Sequence, residues 1–184
     1  MALNIQRVSI EDFEAFILSP ENIEHDWELI DGEIVKVVSN SYSSEVAMLV
    51  GALITVFVRQ HNLGRVTGAD GGYVVGSDRY IPDVGFISHA RQPQRPNTAY
   101  NPLPPDLAVE VISPTDDTAK IRIKLVNYTH AGTTLWLIDP EKQTVEVYAP
   151  DAPPLTLDRN GTLNGGTVLP GFSLPVKDIF PPQE

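Results

Sequence analysis

The pattern of apolar and polar residues is clearest in one stretch in the second half of the chain. Leu107–Ile112 is a largely apolar run of strand length with prolines on both sides, which is typical of a strand buried on both faces of a sheet. Thr115–Gly132 carries apolar residues at helical spacing, and Thr134–Asp139 is again an apolar run. The stretch therefore predicts a strand, a helix and a second strand.

Two hairpins, a helix and a long loop are predicted upstream. Trp27–Val38 predicts a hairpin that turns at Asp31-Gly32, a favoured tight-turn dipeptide. Ser43–His61 has the spacing of an amphipathic helix. Arg65–Val75 predicts another hairpin, with its turn at the glycine-rich segment 70–72, and Arg91–Pro105 predicts an extended loop because it is rich in Pro, Gln and Asn.

Downstream of the central stretch, Gln143–Tyr148 alternates and is expected to pair with Leu135–Asp139. From Pro150 onward the chain is rich in turn residues and predicts short strands that cap the core. There are no internal repeats and no second hydrophobic unit, so we expect a single domain spanning residues 1–184.

Two carboxylates interrupt these apolar strands. Glu110 lies in the middle of Leu107–Ile112, where an ionised side chain is costly unless a cation or a donor holds it. In the run Tyr80–Ile87, alternation places Asp83 on the same face as Gly85. If the two strands are neighbours, Asp83 and Glu110 converge. Two oxygen ligands completed by water are a usual way of holding Mg²⁺.

Cations follow on the predicted helix, where Lys120 and Lys124 are four residues apart and share a face. Acid, acid and lysine around one point is typical of phosphodiester cleavage. The structural alternative is that Glu110 only forms a buried ion pair with a lysine and that Asp83 is a turn residue after Pro82. Glu28, in the first hairpin, is a further candidate for the site, and an ordinary strand position is its alternative.

Composition narrows the function classes. The formal net charge of −11 argues against a generally basic nucleic-acid-binding surface but leaves room for a local one around a metal. The chain has no cysteine, and its four histidines lack the spacing of a zinc hydrolase. The longest uncharged apolar run, Val46–Val58, is shorter than the roughly 20 residues of a membrane span. We therefore expect a cytoplasmic protein without a membrane partner.

Several segments, taken in order, resemble those of one family. The hairpin sequence Trp27–Val35 resembles its opening motif, and Ile81–Phe86 and Val109–Pro114 resemble its two acidic motifs. Ile123–Gly132, Leu135–Pro140 and Leu169–Leu174 resemble its later signatures. Together they are similar to the Uma-type restriction endonuclease domain of the PD-(D/E)xK phosphodiesterase superfamily, over nearly the whole chain.

This resemblance implies an α/β (α+β) fold with a restriction-endonuclease-like core. A central mixed β-sheet would be flanked by helices, with an extra N-terminal hairpin and short C-terminal strands. Asp83, Glu110 and the backbone carbonyl of Val111 would bind Mg²⁺ or Mn²⁺. The superfamily lysine commonly stands two residues after the second acid, where this chain has Ile112; in the Uma-type family it comes from the following helix, which corresponds to Lys124 rather than Lys120.

The implied function is metal-dependent endonuclease cleavage of nucleic acid, with DNA favoured as the substrate. Asp83 and Glu110 would place the metal, and Lys124 would orient the nucleophile or stabilise charge in the transition state. A homodimer is suggested by the resemblance, since cutting two strands conveniently uses two sites. The alternative is a non-catalytic module of nuclease fold that binds a partner or acts structurally, which the net acidity favours.

Overall fold

The computed structural model describes residues 7–180. Within this range the helices are α1 (Ile10–Ile17), α2 (Ser41–Gln60) and α3 (Thr118–His130), and a short 3₁₀ turn spans Val176–Asp178. The strands are β1 (Trp27–Ile30), β2 (Glu33–Lys36), β3 (Gly64–Thr67), β4 (Gly72–Val75), β5 (Asp78–Tyr80), β6 (Val84–Ser88), β7 (Tyr100–Asn101), β8 (Leu107–Val111), β9 (Thr134–Asp139), β10 (Thr144–Tyr148), β11 (Leu155–Leu157), β12 (Thr162–Asn164) and β13 (Ser173–Pro175).

The predicted strand, helix and second strand form the centre of a mixed sheet. Its order is β11-β10-β9-β8-β6-β3. The neighbours β8 and β9 are parallel and are joined through α3, whereas the other pairs in this sheet are antiparallel. The expected pairing of Gln143–Tyr148 with Leu135–Asp139 is confirmed by β10 and β9. The predicted α/β architecture with a central mixed sheet is therefore confirmed.

Alternation along β8 sends its side chains into two separate cores. Val109 and Val111 belong to a cluster with α2 residues such as Val50 and Ile54, so α2 covers this face of the sheet. Ala108 belongs to a second cluster, which also contains Tyr128 of α3. Glu110, which follows the parity of Ala108, consequently lies on the face of the sheet that α3 covers.

A second sheet, of order β2-β1-β5-β4-β7, packs on the α3 side. Its N-terminal part is the predicted hairpin, in which Trp27 pairs with Lys36. Asp31 and Gly32 at the turn both have positive φ values, 50° and 78°, as a two-residue type I′ turn requires. The predicted hairpin at Trp27–Val38 is therefore confirmed, and it brings Glu28 toward α3.

The hairpin predicted at Arg65–Val75 is wrong. The turn after Thr67 does form, but β3 pairs with β6 in the six-stranded sheet, whereas β4 pairs with β5 and β7 in the other sheet. The predicted loop at Arg91–Pro105 is largely irregular but contains β7, which runs parallel to β4. A Cβ at Gly72 would lie 2.3 Å from the ring of Tyr100, so the glycine permits this close pairing.

The helix predicted at Ser43–His61 is confirmed as α2. Among the helices within residues 7–180, α2 is long and apolar enough to cross a membrane by length and composition alone. One of its faces, however, packs in the core against the six-stranded sheet. Core helices of soluble proteins share this length and composition, so these features carry no argument for a membrane.

Candidate active site

Asp83 and Glu110 come from adjacent antiparallel strands. Val84 of β6 pairs with Val109 of β8, and the same register carried one residue further places Asp83 opposite Glu110. Oδ2 of Asp83 accepts a hydrogen bond of 2.7 Å from the amide of Val111. The residue next to Glu110 thus fixes the orientation of the Asp83 carboxylate.

Helix α3 brings a lysine between two carboxylates. Nζ of Lys124 lies 2.7 Å from Oε1 of Glu110 and 3.0 Å from Oε1 of Glu28. Lys124 is buried. Lys120, one turn earlier, pairs instead with Glu33 at 2.8 Å, and Glu33 is exposed. The structure therefore sets Lys124, and not Lys120, beside Glu110.

Glu28 is buried and connects three elements. Its Oε1 accepts a hydrogen bond of 2.6 Å from the amide of Ile81 and also contacts Lys124. Ile81 lies two residues before Asp83. Glu28 therefore ties the first hairpin both to the segment that carries Asp83 and to the helix that carries the lysine.

Two tyrosines complete the surroundings, and sequence reasoning did not assign either of them to the site. The hydroxyl of Tyr128 donates a hydrogen bond of 3.1 Å to Oε1 of Glu110, and the ring of Tyr80 lies 5.5 Å from Nζ of Lys124. In the sequence, Tyr128 is one of the apolar residues at helical spacing within Thr115–Gly132. Its spacing of four from Lys124 was the available signal, because residues so spaced share a helix face.

Burial and mutual repulsion perturb the carboxylates. Burial raises the pKa of Asp83 to about 6, although the Val111 amide and Lys124 oppose the shift. Burial also raises the pKa of Glu110, and the nearby charges of Glu28 and Asp83 add to the effect while Lys124 opposes it. Three carboxylates thus face one ammonium group, and the ionised cluster has an excess of negative charge.

The same surroundings keep the side chain of Lys124 charged. Burial alone would lower the pKa of its ammonium group, but attraction to Glu110 and Glu28 more than offsets this, and the net shift is upward. Burial and the charge of Glu110 raise the pKa of the Tyr128 hydroxyl. Lys124 is therefore a fixed cation and Tyr128 a fixed hydrogen-bond donor near neutral pH.

The cluster opens into a cavity of about 250 Å³. Its lining includes all six residues proposed from sequence: Glu28, Asp83, Glu110, Val111, Lys120 and Lys124. Among residues 7–180, no group of three or more His, Cys, Asp or Glu side chains is arranged to hold a metal ion. Asp83 and Glu110 could offer two carboxylate ligands to a cation, completed by backbone and water oxygens, and oxygen donors are those that Mg²⁺ and Mn²⁺ prefer.

A further buried carboxylate lies outside this cavity. Asp78 accepts hydrogen bonds from the amide of Asp31, the hydroxyl of Tyr80 and the side-chain amide of Asn127. It is satisfied by neutral donors, as buried carboxylates must be when no metal or cation is paired with them. Asp78 is therefore a structural carboxylate, unlike Glu28, Asp83 and Glu110, which face the cavity.

Comparisons with known proteins identify the fold and the family of the chain. The chain is similar to a solved structure, described as a putative nuclease belonging to DUF820 from Anabaena variabilis ATCC 29413, with a TM-score of 0.82. The identity is 22%, and the match covers 94% of this chain and 97% of that one, which establishes the likeness of fold. No curated protein sequence matches the chain. A model of the family described as Uma2, putative restriction endonuclease, matches residues 10–177, and the chain therefore belongs to the Uma2 family.

Proposed function

We propose that this protein is a divalent-metal-dependent endonuclease that hydrolyses phosphodiester bonds of DNA. The observation that carries the proposal is the buried cluster of Glu28, Asp83 and Glu110 around Lys124, open to one cavity. Excess negative charge at the wall of a cavity is stabilised by a bound cation. The family and the fold described above support nuclease chemistry in general.

Asp83 and Glu110 would hold the metal, with the backbone carbonyl of Val111 as a further ligand. A bound Mg²⁺ or Mn²⁺ would supply an acidified water and neutralise charge that builds on the phosphate. The chain contributes geometry, because the Val111 amide orients Asp83 and the Tyr128 hydroxyl orients Glu110. Ligands held in this way need little rearrangement when the cation arrives.

Lys124 would stabilise the phosphate oxygens or orient the attacking water. Its ammonium group already lies in the cavity wall, buried and charged. A preorganised donor in a site that excludes water is worth more than the same donor in solution. Glu28 would act as a positioning residue, since it contacts Lys124 and the backbone before Asp83.

DNA is favoured as the substrate despite the net charge of −11. Lys36 and Lys120 line the cavity together with Lys124, so three ammonium groups stand among its carboxylates where a phosphate would enter. Screening over about 10 Å at 0.1 M salt weakens the repulsion from acidic residues elsewhere on the surface. We also propose that residues 1–184 act as one nuclease-like domain in the cytoplasm, as a homodimer.

The second candidate function is a non-catalytic binding or structural module. It is favoured by the two ion pairs of Lys124, which balance part of the cluster without any metal. In that case the cluster would serve only to fix α3 against the first hairpin. The two functions differ in the response to divalent cations, which the nuclease requires and the structural module lacks.

The deciding experiment combines binding and cleavage. Purified protein is incubated with single- and double-stranded DNA, and with RNA, in Mg²⁺, in Mn²⁺ and in chelator, and thermal melts are recorded under the same conditions. The proposal expects cleavage of DNA only with metal and a higher melting temperature in Mn²⁺ than in chelator. A chain that shows neither response is the structural module, and one that cleaves only RNA contradicts the proposed substrate.

A further inference from the structure

One face of α2 points away from the protein and is largely apolar. Met48 is 73% exposed and Val56 is 55% exposed. Glu45, Ala52 and Arg59 are also exposed. At about 100° per residue, these five positions fall within an arc of about 80° on the helix, opposite the buried Val50 and Ile54. We name them the α2 stripe.

The α2 stripe has a palindromic order. Glu45 lies seven residues before Ala52 and Arg59 lies seven after it, while Met48 and Val56 lie four before and four after. Two copies of α2 that cross antiparallel at Ala52 would therefore place Glu45 of each against Arg59 of the other, and Met48 against Val56. A two-fold interface requires this kind of self-complementarity.

We propose that the α2 stripe is the surface through which two copies of this chain form an antiparallel dimer. The small Ala52 at the crossing point lets the helices approach to the interaxial distances of about 8–10 Å at which helices pack. The apolar pair on each side of it is removed from water. At each end of the contact, Glu45 of one copy forms an ion pair with Arg59 of the other.

The charges at the two ends support a second copy as the occupant. Among residues 7–180, neither Glu45 nor Arg59 takes part in an ion pair within the chain. No charged residue lies between them on α2. A partner that complements the stripe must present an acid and a base at the same separation in reversed order, which a second copy does by symmetry.

This dimer has a consequence for the proposed active site. The cavity lies near the start of α2, where Asn40 donates a hydrogen bond to Ser113 in the cavity wall. Antiparallel pairing places the two helix starts on opposite sides of the crossing point, about 30 Å apart. The dimer would therefore hold its two sites apart, and each would act on its own strand. The inference itself does not depend on the proposed nuclease activity.

The first test is a charge exchange followed by sedimentation over a wide range of protein concentration. Glu45→Arg and Arg59→Glu should each weaken dimerisation by about tenfold or more, because like charges then face each other. The double variant Glu45→Arg/Arg59→Glu should recover the wild-type dissociation constant. Thermal melts check that each variant is folded, which is expected because both positions are exposed.

A second test uses the absence of cysteine from the chain. Ala52→Cys should give a disulfide-linked dimer on mild oxidation, because the symmetry places the two side chains against each other. Val126→Cys on α3, 48% exposed, is the matched control and should react much more slowly. A wild-type chain that stays monomeric, a double exchange that fails to restore the dimer, or α2 that binds lipid vesicles instead would overturn the proposal.

Discussion

Nζ of Lys124 lies 2.7 Å from Oε1 of Glu110, although the two residues are fourteen apart in the sequence. Ile112 occupies the place where superfamily members commonly carry the lysine. In this chain α3 folds back over the sheet and delivers the ammonium group from the helix. The ammonium group therefore lies beside Glu110 even though an apolar residue occupies the usual place of the lysine in the sequence.

The first prediction concerns the two lysines of α3. Lys124→Met should lower cleavage by about 10²-fold or more, because it removes a preorganised donor. Lys120→Met should lower cleavage much less, because that ammonium group is paired with Glu33 rather than with Glu110. Initial rates are measured with Mn²⁺ present and are normalised to the folded fraction, since a buried carboxylate without its partner also destabilises the fold. Equal losses in the two variants would remove Lys124 from its proposed role.

The second prediction concerns Glu28. Glu28→Gln should lower the free energy of unfolding by about 1–3 kcal/mol, because charged hydrogen bonds to Lys124 and Ile81 are weakened. Glu33→Gln on the same hairpin breaks only a surface pair with Lys120 and should cost about 0–1 kcal/mol. Urea denaturation measures both. If the two variants are equally stable, the buried connection through Glu28 contributes nothing to the fold.

The sequence predicted most of the architecture because its strongest signals were local. Apolar runs bounded by prolines and the Asp31-Gly32 turn each specify an element within a few residues of chain. The turn after Thr67 was predicted as well, but a turn does not say with which strand the chain pairs next. The separation of β3 and β4 into two sheets is set by their long-range partners β6 and β7, and these pairings leave no local signal.

Strand parity predicts which side chains of the candidate site come together. Asp83 and Glu110 follow from alternation along two neighbouring strands. Glu28 stayed ambiguous because alternation fails in β1, where Glu28, Leu29 and Ile30 are all buried. Its direction depends on how the hairpin packs against α3, and the hydrogen bond from Tyr128 to Glu110 depends on the same packing. Neither contact could be predicted before the elements were placed together.

The third prediction concerns pH. Burial raises the pKa of Asp83 to about 6. Between the ordinary value near 3.8 and this one, the folded chain holds a proton that the unfolded chain has released. The contribution of Asp83 to the free energy of unfolding therefore falls as pH rises from about 4 to about 6. At about 1.4 kcal/mol per pKa unit, the change is on the order of 1–3 kcal/mol.

This pH effect is measured by urea denaturation in chelator, for wild type and for Asp83→Asn, at a series of pH values. The variant has no group to titrate at this position, so its stability relative to wild type should rise across the window. Metal affinity should move the opposite way and increase with pH, because the cation binds the ionised carboxylate. A constant difference between the two proteins would mean that Asp83 titrates normally.

The fourth prediction is that Asp78 contributes to the stability of the fold and not to the reaction. Asp78→Asn should destabilise the protein by about 1–3 kcal/mol, because a buried acceptor of three hydrogen bonds is replaced by a group with donors of its own. Metal-dependent cleavage per folded molecule should be unchanged. The measurement pairs a denaturation curve with cleavage rates below the melting temperature. A variant that is stable but inactive would place Asp78 in the reaction.

The last prediction is that Glu110→Gln abolishes metal-dependent cleavage and leaves the metal-free fold as stable as wild type or more so. Lys124 retains Glu28 as an ion-pair partner at 3.0 Å, so the substitution leaves no cation unpaired. It also removes one of the carboxylates that repel each other in a buried site, where burial already opposes the charge of Glu110.

Thermal melts with and without Mn²⁺ test this. Wild type should be stabilised by the metal, by about 2.7 kcal/mol at a hundredfold excess over the dissociation constant, and Glu110→Gln should lose most of that gain. Glu33→Gln, which removes a carboxylate outside the cavity lining, should keep it. If Glu110 serves only as a partner for Lys124, the variant melts well below wild type in chelator and Mn²⁺ stabilises neither protein. Activity and metal-free stability that move in opposite directions would instead identify Glu110 as a ligand kept for function at a cost to the fold.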